Sequence, residues 1–232
     1  MTFELDHIFI CTALGAPESQ ELLDAGFAEG TSNVHPGQGT SNRRFFFEHG
    51  FLELLWVHDE EEARSALTKP TRLWERCSQR GPQVNPFGIC FSSSSVLTPP
   101  LPFSVWAYQP SYLPAEKHIY FAQGAALSEP ELFALSWPQP QTTTVLQPTA
   151  HRMPLSAMRT VLVGLVDVDN LSAPMRAARD AGLIRIHQSS APELEIEFSS
   201  AKSVDVHLAS LGITFRGRPD GAIDAMRREK DE

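Results

Sequence analysis

Basic charge is scarce in this chain: 19 Lys and Arg stand against 28 Asp and Glu, a formal charge of -9. A protein that grips nucleic acid by neutralising phosphates needs clustered Lys and Arg, so no nucleic-acid partner is expected. Long apolar runs are missing too. Stretches such as Val161 to Val166 fall far short of the roughly 18 residues a membrane helix needs, so no membrane partner is expected either. The start, MTFELDHIF, carries Glu4 and Asp6 where a secretion signal would be basic, which points to the cytoplasm. Only Cys11, Cys77 and Cys90 are present, far apart and with no C-x-x-C spacing. Neither a disulfide framework nor a thiolate zinc site follows, and all three are expected to be reduced, half-buried core residues. A G-x-S-x-G elbow is absent, which removes a serine hydrolase, and no H-x-x-x-H or H-x-H pair announces a metal.

What is present is foldable: 232 residues, 42% of them apolar, enough for one large domain or two small modules. Phe3, Leu5, His7, Phe9 and Cys11 alternate with Glu4, Asp6, Ile8 and Ile10, the period of a strand. A short helix is predicted from Pro17 to Ala25, stopped by Gly26. A strand over Phe27 to Thr31, a loop over Asn33 to Asn42, and a hairpin of Arg44 to Glu48 with Phe51 to Val57 complete a strand, helix, three-strand unit over residues 1–58. Residues 59–138 read as a connecting helix broken near Pro70, followed by a degenerate, Pro-rich strand module. Residues 139–155 are the predicted linker. Residues 156–216 again run strand, helix, three strands, and 217–232 form a tail. Asp24-Ala25-Gly26-Phe27 and Asp180-Ala181-Gly182-Leu183 hold the same place in the two units, which predicts an internal duplication.

Two features carry candidate chemistry. His7 and Glu53 both lie on apolar strand faces, where an ionised carboxylate is costly unless a cation or donor compensates. Imidazole and carboxylate on rigid strands are ligand types for Zn, Mn, Fe or Ni. The alternative is a satisfied core histidine, with Glu53 paired to Arg43, Arg44 or a backbone donor. The second feature is His35-Pro36-Gly37-Gln38-Gly39-Thr40-Ser41-Asn42, whose glycines let backbone approach a ligand and whose His35, Thr40 and Asn42 offer polar contacts. It lacks the Lys and strand-to-helix context of a P-loop, and a tight structural turn accounts for it equally well.

With these units at both ends, Asp6-His7-Ile8 near the start, HPGQGTSNRRFFF within the first unit and FLELLWV closing it, the chain resembles the vicinal-oxygen-chelate superfamily and its glyoxalase-like branch. The resemblance is clearest over residues 3–57. It implies an α+β fold in which paired βαβββ modules form open, strongly curved mixed sheets. It also implies a divalent metal held by ligands on the first and last strands of the modules, chelating adjacent substrate oxygens and stabilising enolate-type charge. His7 matches the first-strand ligand and Glu53 the last-strand ligand. The third ligand falls to Asp205, His207 or Glu131, since Val163 and the Phe87-Gly88 pair occupy the corresponding first-strand places of the later segments.

The resemblance therefore implies a metal-dependent lyase, isomerase or dioxygenase acting on a small oxygenated metabolite, with His35 and Asn42 lining the cavity. The alternative is a metal-free protein that binds or sequesters a small molecule with Trp56, Trp106 and Phe45 to Phe47. In a third reading the cavity has closed and His7 and Glu53 bond to each other. Either the middle or the C-terminal segment is expected to close the barrel with the first unit, or a homodimer completes it.

Overall fold

The computed structural model of the chain describes residues 3–79, 81–92, 101–137 and 146–219. The first unit comprises β1 (Glu4–Cys11), α1 (Ser19–Asp24), β2 (Asn33–His35), β3 (Thr40–Phe46) and β4 (Phe51–Val57). Then come α2 (Glu60–Ala63), a 3-10 turn over Lys69–Thr71, and α3 (Leu73–Ser78). The middle stretch supplies β5 (Phe87–Ser92), β6 (Val105–Tyr108), β7 (Ile119–Ala122) and β8 (Glu131–Leu135). The C-terminal unit holds β9 (Leu155–Leu165), α4 (Ala173–Asp180), β10 (Arg185–Gln188), β11 (Glu193–Ser200), β12 (Val204–Leu208) and β13 (Ile213–Arg218).

The first eight strands form one sheet of order β2-β3-β4-β1-β5-β8-β7-β6. β1 runs parallel to β4 and antiparallel to β5, and β5 runs parallel to β8. Each half therefore repeats the same order outward from the centre, and the middle stretch, not the C-terminal unit, completes the sheet within one chain. Most of the Pro-rich segment where the second module's helix is expected lies outside the described residues.

Alternation sorts the two faces of this sheet. Ile8, Ile10, Leu52, Leu54, Ile89 and Phe91 enter the main core, which they share with Val161, Val163, Ile196 and Phe198 of the second sheet. Phe9, Cys11, Leu55, Cys90, Phe121 and Phe133 form a separate apolar cluster on the opposite face. Central strands buried on both faces read as near-continuous apolar runs, which is how β5 reads.

The C-terminal unit departs from the expected pattern. Its five strands are ordered β10-β9-β11-β13-β12, with β10 parallel to β9 and β13 parallel to β11. This is not the order of the first unit, and β13 covers residues that the sequence reading left without structure. The shared Asp-Ala-Gly has a local cause. At α1, Phe27 N–H donates to Leu22 O and Gly26 N–H to Leu23 O; at α4, Leu183 donates to Ala178 O and Gly182 to Arg179 O. Both are Schellman stops with glycine at positive φ, 95° at Gly26 and 73° at Gly182. The same helix exit recurs in two different topologies.

Two local expectations shift. Residues 27–31 are not a strand, and β2 instead occupies Asn33–His35, inside the predicted loop. The described part of the predicted linker is laid against the first unit. Ala28 N–H donates to His151 Nδ1 at 3.0 Å, His151 Nε2–H donates to Phe46 O at 2.8 Å, and Thr31 N–H donates to Gln147 Oε1 at 3.0 Å. Of the predicted tail, residues 220–232 lie outside the described residues.

Candidate active site

His7 and Glu53 meet on the face opposite the main core, each 7% exposed, with His7 Nε2 3.8 Å from Glu53 Oε2. Neighbouring strands bring them together: β1 and β4 pair in parallel with Phe9 opposite Glu53, so His7 sits one same-face step away. Each side chain is held by a second group. The β1 to β5 register shifts between Leu5 and His7, an irregularity that re-aims side chains, and Asp6 Oδ1 lies 2.7 Å from His7 Nδ1. An ionised carboxylate only accepts, so Nδ1–H is the donor in this contact and Nε2 is turned toward Glu53. On the other side, Asn33 N–H donates to Asn42 Oδ1 at 2.7 Å, which fixes the Asn42 amide so that Nδ2 donates to Glu53 Oε1 at 2.6 Å.

The arginines offered as partners for Glu53 are engaged elsewhere. Arg43 binds Glu29 and Ser19. Arg44 donates to Thr31 O at 2.8 Å and covers the Phe46 ring at 4.9 Å; burial lowers its pKa, with the nearby Glu53 charge acting the other way. The His7 ring stacks on Phe51 at 4.4 Å and meets the edge of Phe133 at 5.4 Å. These rings keep water from the imidazole, which strengthens every charge interaction around it.

The glycine loop is mainly a turn braced from outside. Gly37 and Gly39 have φ of 80° and 74°, and a Cβ on Gly39 would lie 2.2 Å from Asp59 O. Gly37 N–H donates to Glu62 Oε2 at 2.7 Å, and the Thr68 hydroxyl donates to Gly37 O at 3.1 Å. Thr40 Oγ1 receives Gln38 Nε2 at 2.8 Å and lies 2.9 Å from His35 Nδ1, while Tyr112 stacks on His35 at 4.9 Å and donates to Gln38 Oε1 at 3.2 Å. Burial lowers the His35 pKa below its usual 6.5 and pushes the Tyr112 phenol well up. Of the four residues expected to bind substrate, only Asn42 touches the His7–Glu53 pair among the bonds described. Trp56 follows Leu52 and Leu54 to the other face and packs on the main core.

None of the three expected third ligands joins the pair. Asp205 and His207 stand on β12, in the other sheet, where Asp205 pairs with Arg216 and His207 Nδ1 lies 3.0 Å from Thr214 Oγ1. Glu131 is buried and bound to Arg76 at 3.0 Å; burial raises its pKa, and the arginine pulls the other way. The second half of the sheet offers Cys90 instead, directly across from His7. Asp6, His7 and Cys90 each place one ligand-type atom within 4.8 Å of the others. Burial and the carboxylates of Asp6 and Glu53 hold the Cys90 thiol protonated. Gly88, the next same-face residue, has no room for a side chain, because a Cβ would lie 2.0 Å from the Phe9 ring. Sequence reasoning missed Asp6, because strict alternation sends it to the other face, and missed Cys90, because pairing between β1 and β5 is not local.

This arrangement, two four-strand halves of the same strand order in one sheet, is a glyoxalase-like α+β fold. Residues 5–96 match the family model of the glyoxalase-like domain. A hypothetical protein of Staphylococcus aureus has the same fold, with 12% identity and a TM-score of 0.56 over 94% of this chain and 100% of its own. Looser likenesses are to a methylmalonyl-CoA epimerase variant of Streptomyces coelicolor, with 18% identity, TM-score 0.41, and 62% and 100% of the two chains covered. Another is a 4-hydroxymandelate synthase variant of the same organism, with 16% identity, TM-score 0.45, and 94% and 63% covered. The curated proteins contain no match. Among the described residues no helix is long and apolar enough to cross a membrane.

Proposed function

We propose that the protein is a glyoxalase-like enzyme that acts on a small oxygenated metabolite with a divalent cation held between His7 Nε2 and Glu53 Oε2. One observation carries this reading: a buried imidazole nitrogen and a carboxylate oxygen, both metal-ligand types, face each other at 3.8 Å while a partner on the far atom of each, Asp6 and Asn42, keeps them aimed inward. A buried arrangement of this kind calls for positive charge in the gap. An imidazole whose other nitrogen is held by a carboxylate is also the usual surrounding of a metal-bound histidine. Imidazole and carboxylate suit Zn, Mn, Fe or Ni, and a bound ion would supply Lewis-acid polarisation of a substrate oxygen. Asp6 keeps the proton on Nδ1, Asn42 orients the carboxylate, and Phe51 and Phe133 exclude water.

A second reading has its own support. Gly88 and Phe133 bring no donor from the other half, and Cys90 is held as a thiol, which fits a metal-free binding protein with a proton shared between His7 and Glu53. Metal content measured by mass spectrometry on protein purified without a His-tag or chelator separates the two. Near-stoichiometric metal, lost in both His7→Ala and Glu53→Ala, supports the enzyme and justifies screening α-keto, hemithioacetal and catechol-like substrates. Protein that carries no metal and takes up none of Zn, Mn, Fe or Ni sinks it in favour of the metal-free reading.

A further inference from the structure

Cys11 and Cys77 are 66 residues apart in sequence, yet their Sγ atoms lie 2.6 Å apart. Cys11 ends β1 and is buried, while Cys77, in α3, is partly exposed. The approach is imposed by the fold on both sides. Cys11 is held at the strand end by its N–H to Pro86 O at 2.8 Å. Cys77 follows Arg76, a fully buried residue whose guanidinium donates to Asn85 O at 2.8 Å, Glu129 O at 2.7 Å and Glu131 Oε2 at 3.0 Å, which fixes where α3 can sit. Cys11 belongs to the apolar cluster that holds Phe9, Leu55 and Leu73, and Cys77 packs against that cluster. Cys90 contrasts with both: it is completely buried, and its thiol points to Phe91 O at 3.7 Å.

We propose that Cys11 and Cys77 are an oxidisable dithiol that closes to a disulfide when hydrogen peroxide reaches the exposed side of α3. Cys77 is the attacked position, because it is the one that solvent reaches. Its thiolate sulfur takes one peroxide oxygen as the O–O bond breaks, leaving a sulfenic acid and a hydroxide that carries off the thiol proton as water. The Cys11 sulfur then attacks the Cys77 sulfur, the S–O bond breaks, and the second water leaves with the Cys11 proton. Two thiols lose two electrons and two protons, and one peroxide becomes two waters. The product ties β1, which carries His7, to α3, which packs on β4, the strand of Glu53. Oxidation thus fastens a helix to the strands of the site from one end of the sheet.

The test is peptide mapping and intact mass of the full chain after titration with hydrogen peroxide under non-reducing conditions. The expected result is a loss of two hydrogens, a linked Cys11–Cys77 peptide, an unmodified Cys90, and full reversal by dithiothreitol. Thermal melting of the oxidised protein should shift upward, and the shift should vanish in Cys77→Ser, a partly exposed position where folding is not at stake. In Cys11→Ser the sulfenic acid on Cys77 should persist and react with dimedone. Oxidation of Cys77 to sulfinic acid, or bridging between two chains, without the internal link would overturn the proposal, as would a loss of two hydrogens in Cys77→Ser. If Cys11→Ser fails to fold, the wild-type map and Cys77→Ser decide the matter alone.

Discussion

In the half-sheet β2-β3-β4-β1 the face away from the main core carries His7, Glu53 and Asn42; in β6-β7-β8-β5 the same face carries Cys90, Phe121, Phe133 and Leu135. Strand order is common to both and does not distinguish them. Side chains do. The first half spends polar contacts on orienting a buried pair, whereas the second is filled by rings, with Phe121 stacked on Phe133 at 5.5 Å and on Trp106 at 5.3 Å. Its one buried carboxylate on β8, Glu131, is drawn to Arg76 and serves as an anchor. Two halves of the same strand order thus carry different interiors, one a buried polar pair and the other a stack of rings.

The largest effect should come from that anchor. Arg76→Met strands the Glu131 carboxylate and several carbonyls, and urea unfolding should show a loss of about 3–5 kcal/mol. Glu131→Gln, which leaves a neutral acceptor for the arginine, should cost clearly less; equal costs would mean that the pair is not what holds this half. Gly88→Ala forces a methyl group into the Phe9 ring and should cost about 1–3 kcal/mol by overpacking, with β5 amides exchanging faster. A neutral outcome would show that the second half has room for a ligand after all.

In the first half, Asn42→Ala releases Glu53 from its orientation, and metal affinity measured by calorimetry should fall by about 10–100-fold. An unchanged affinity would remove Asn42 from the site. The smallest effect is on pH dependence, and it has opposite signs in the two halves. The folded pKa of His35 is lowered by burial, so the unfolded chain takes up a proton first as pH falls below 6.5, and stability drops through that window. Glu131 has a raised folded pKa, so its contribution is largest below the usual 4.5 and is lost as pH rises through the folded value. His35→Gln should flatten the fall in stability that begins as pH drops below 6.5, read from urea midpoints, while Glu131→Gln should remove the loss that sets in as pH rises above 4.5.

How much of this is legible in the sequence depends on how far apart the partners stand. His7 and Glu53 are readable because each interrupts an apolar alternation, and alternation is a local property of a strand. The helix exits at Gly26 and Gly182 are readable for the same reason, although their likeness reflects a shared stop and not a shared topology. Asp6 is not readable, because a register irregularity with β5 brings it beside its neighbour. Glu131 looks like a ligand in sequence and becomes an anchor only when Arg76, 55 residues earlier, is folded beneath it. Trp56 looks available for a ligand, but the parity that points Glu53 one way points Trp56 the other.

The sequence by itself determined the first unit's order of elements, its apolar and polar faces, the placement of His7 and Glu53 on those faces, and the family that the pattern resembles. These follow from periodicity, glycine and proline, which act over a few residues. Only the tertiary structure decided that the middle stretch completes the sheet, that Asp6 and Asn42 hold the pair, and that the opposite half is packed with rings. It alone also decided that Cys11 and Cys77 meet. Each of these rests on which distant segments become neighbours, and that choice is made by burial of the whole apolar surface, which no local pattern records.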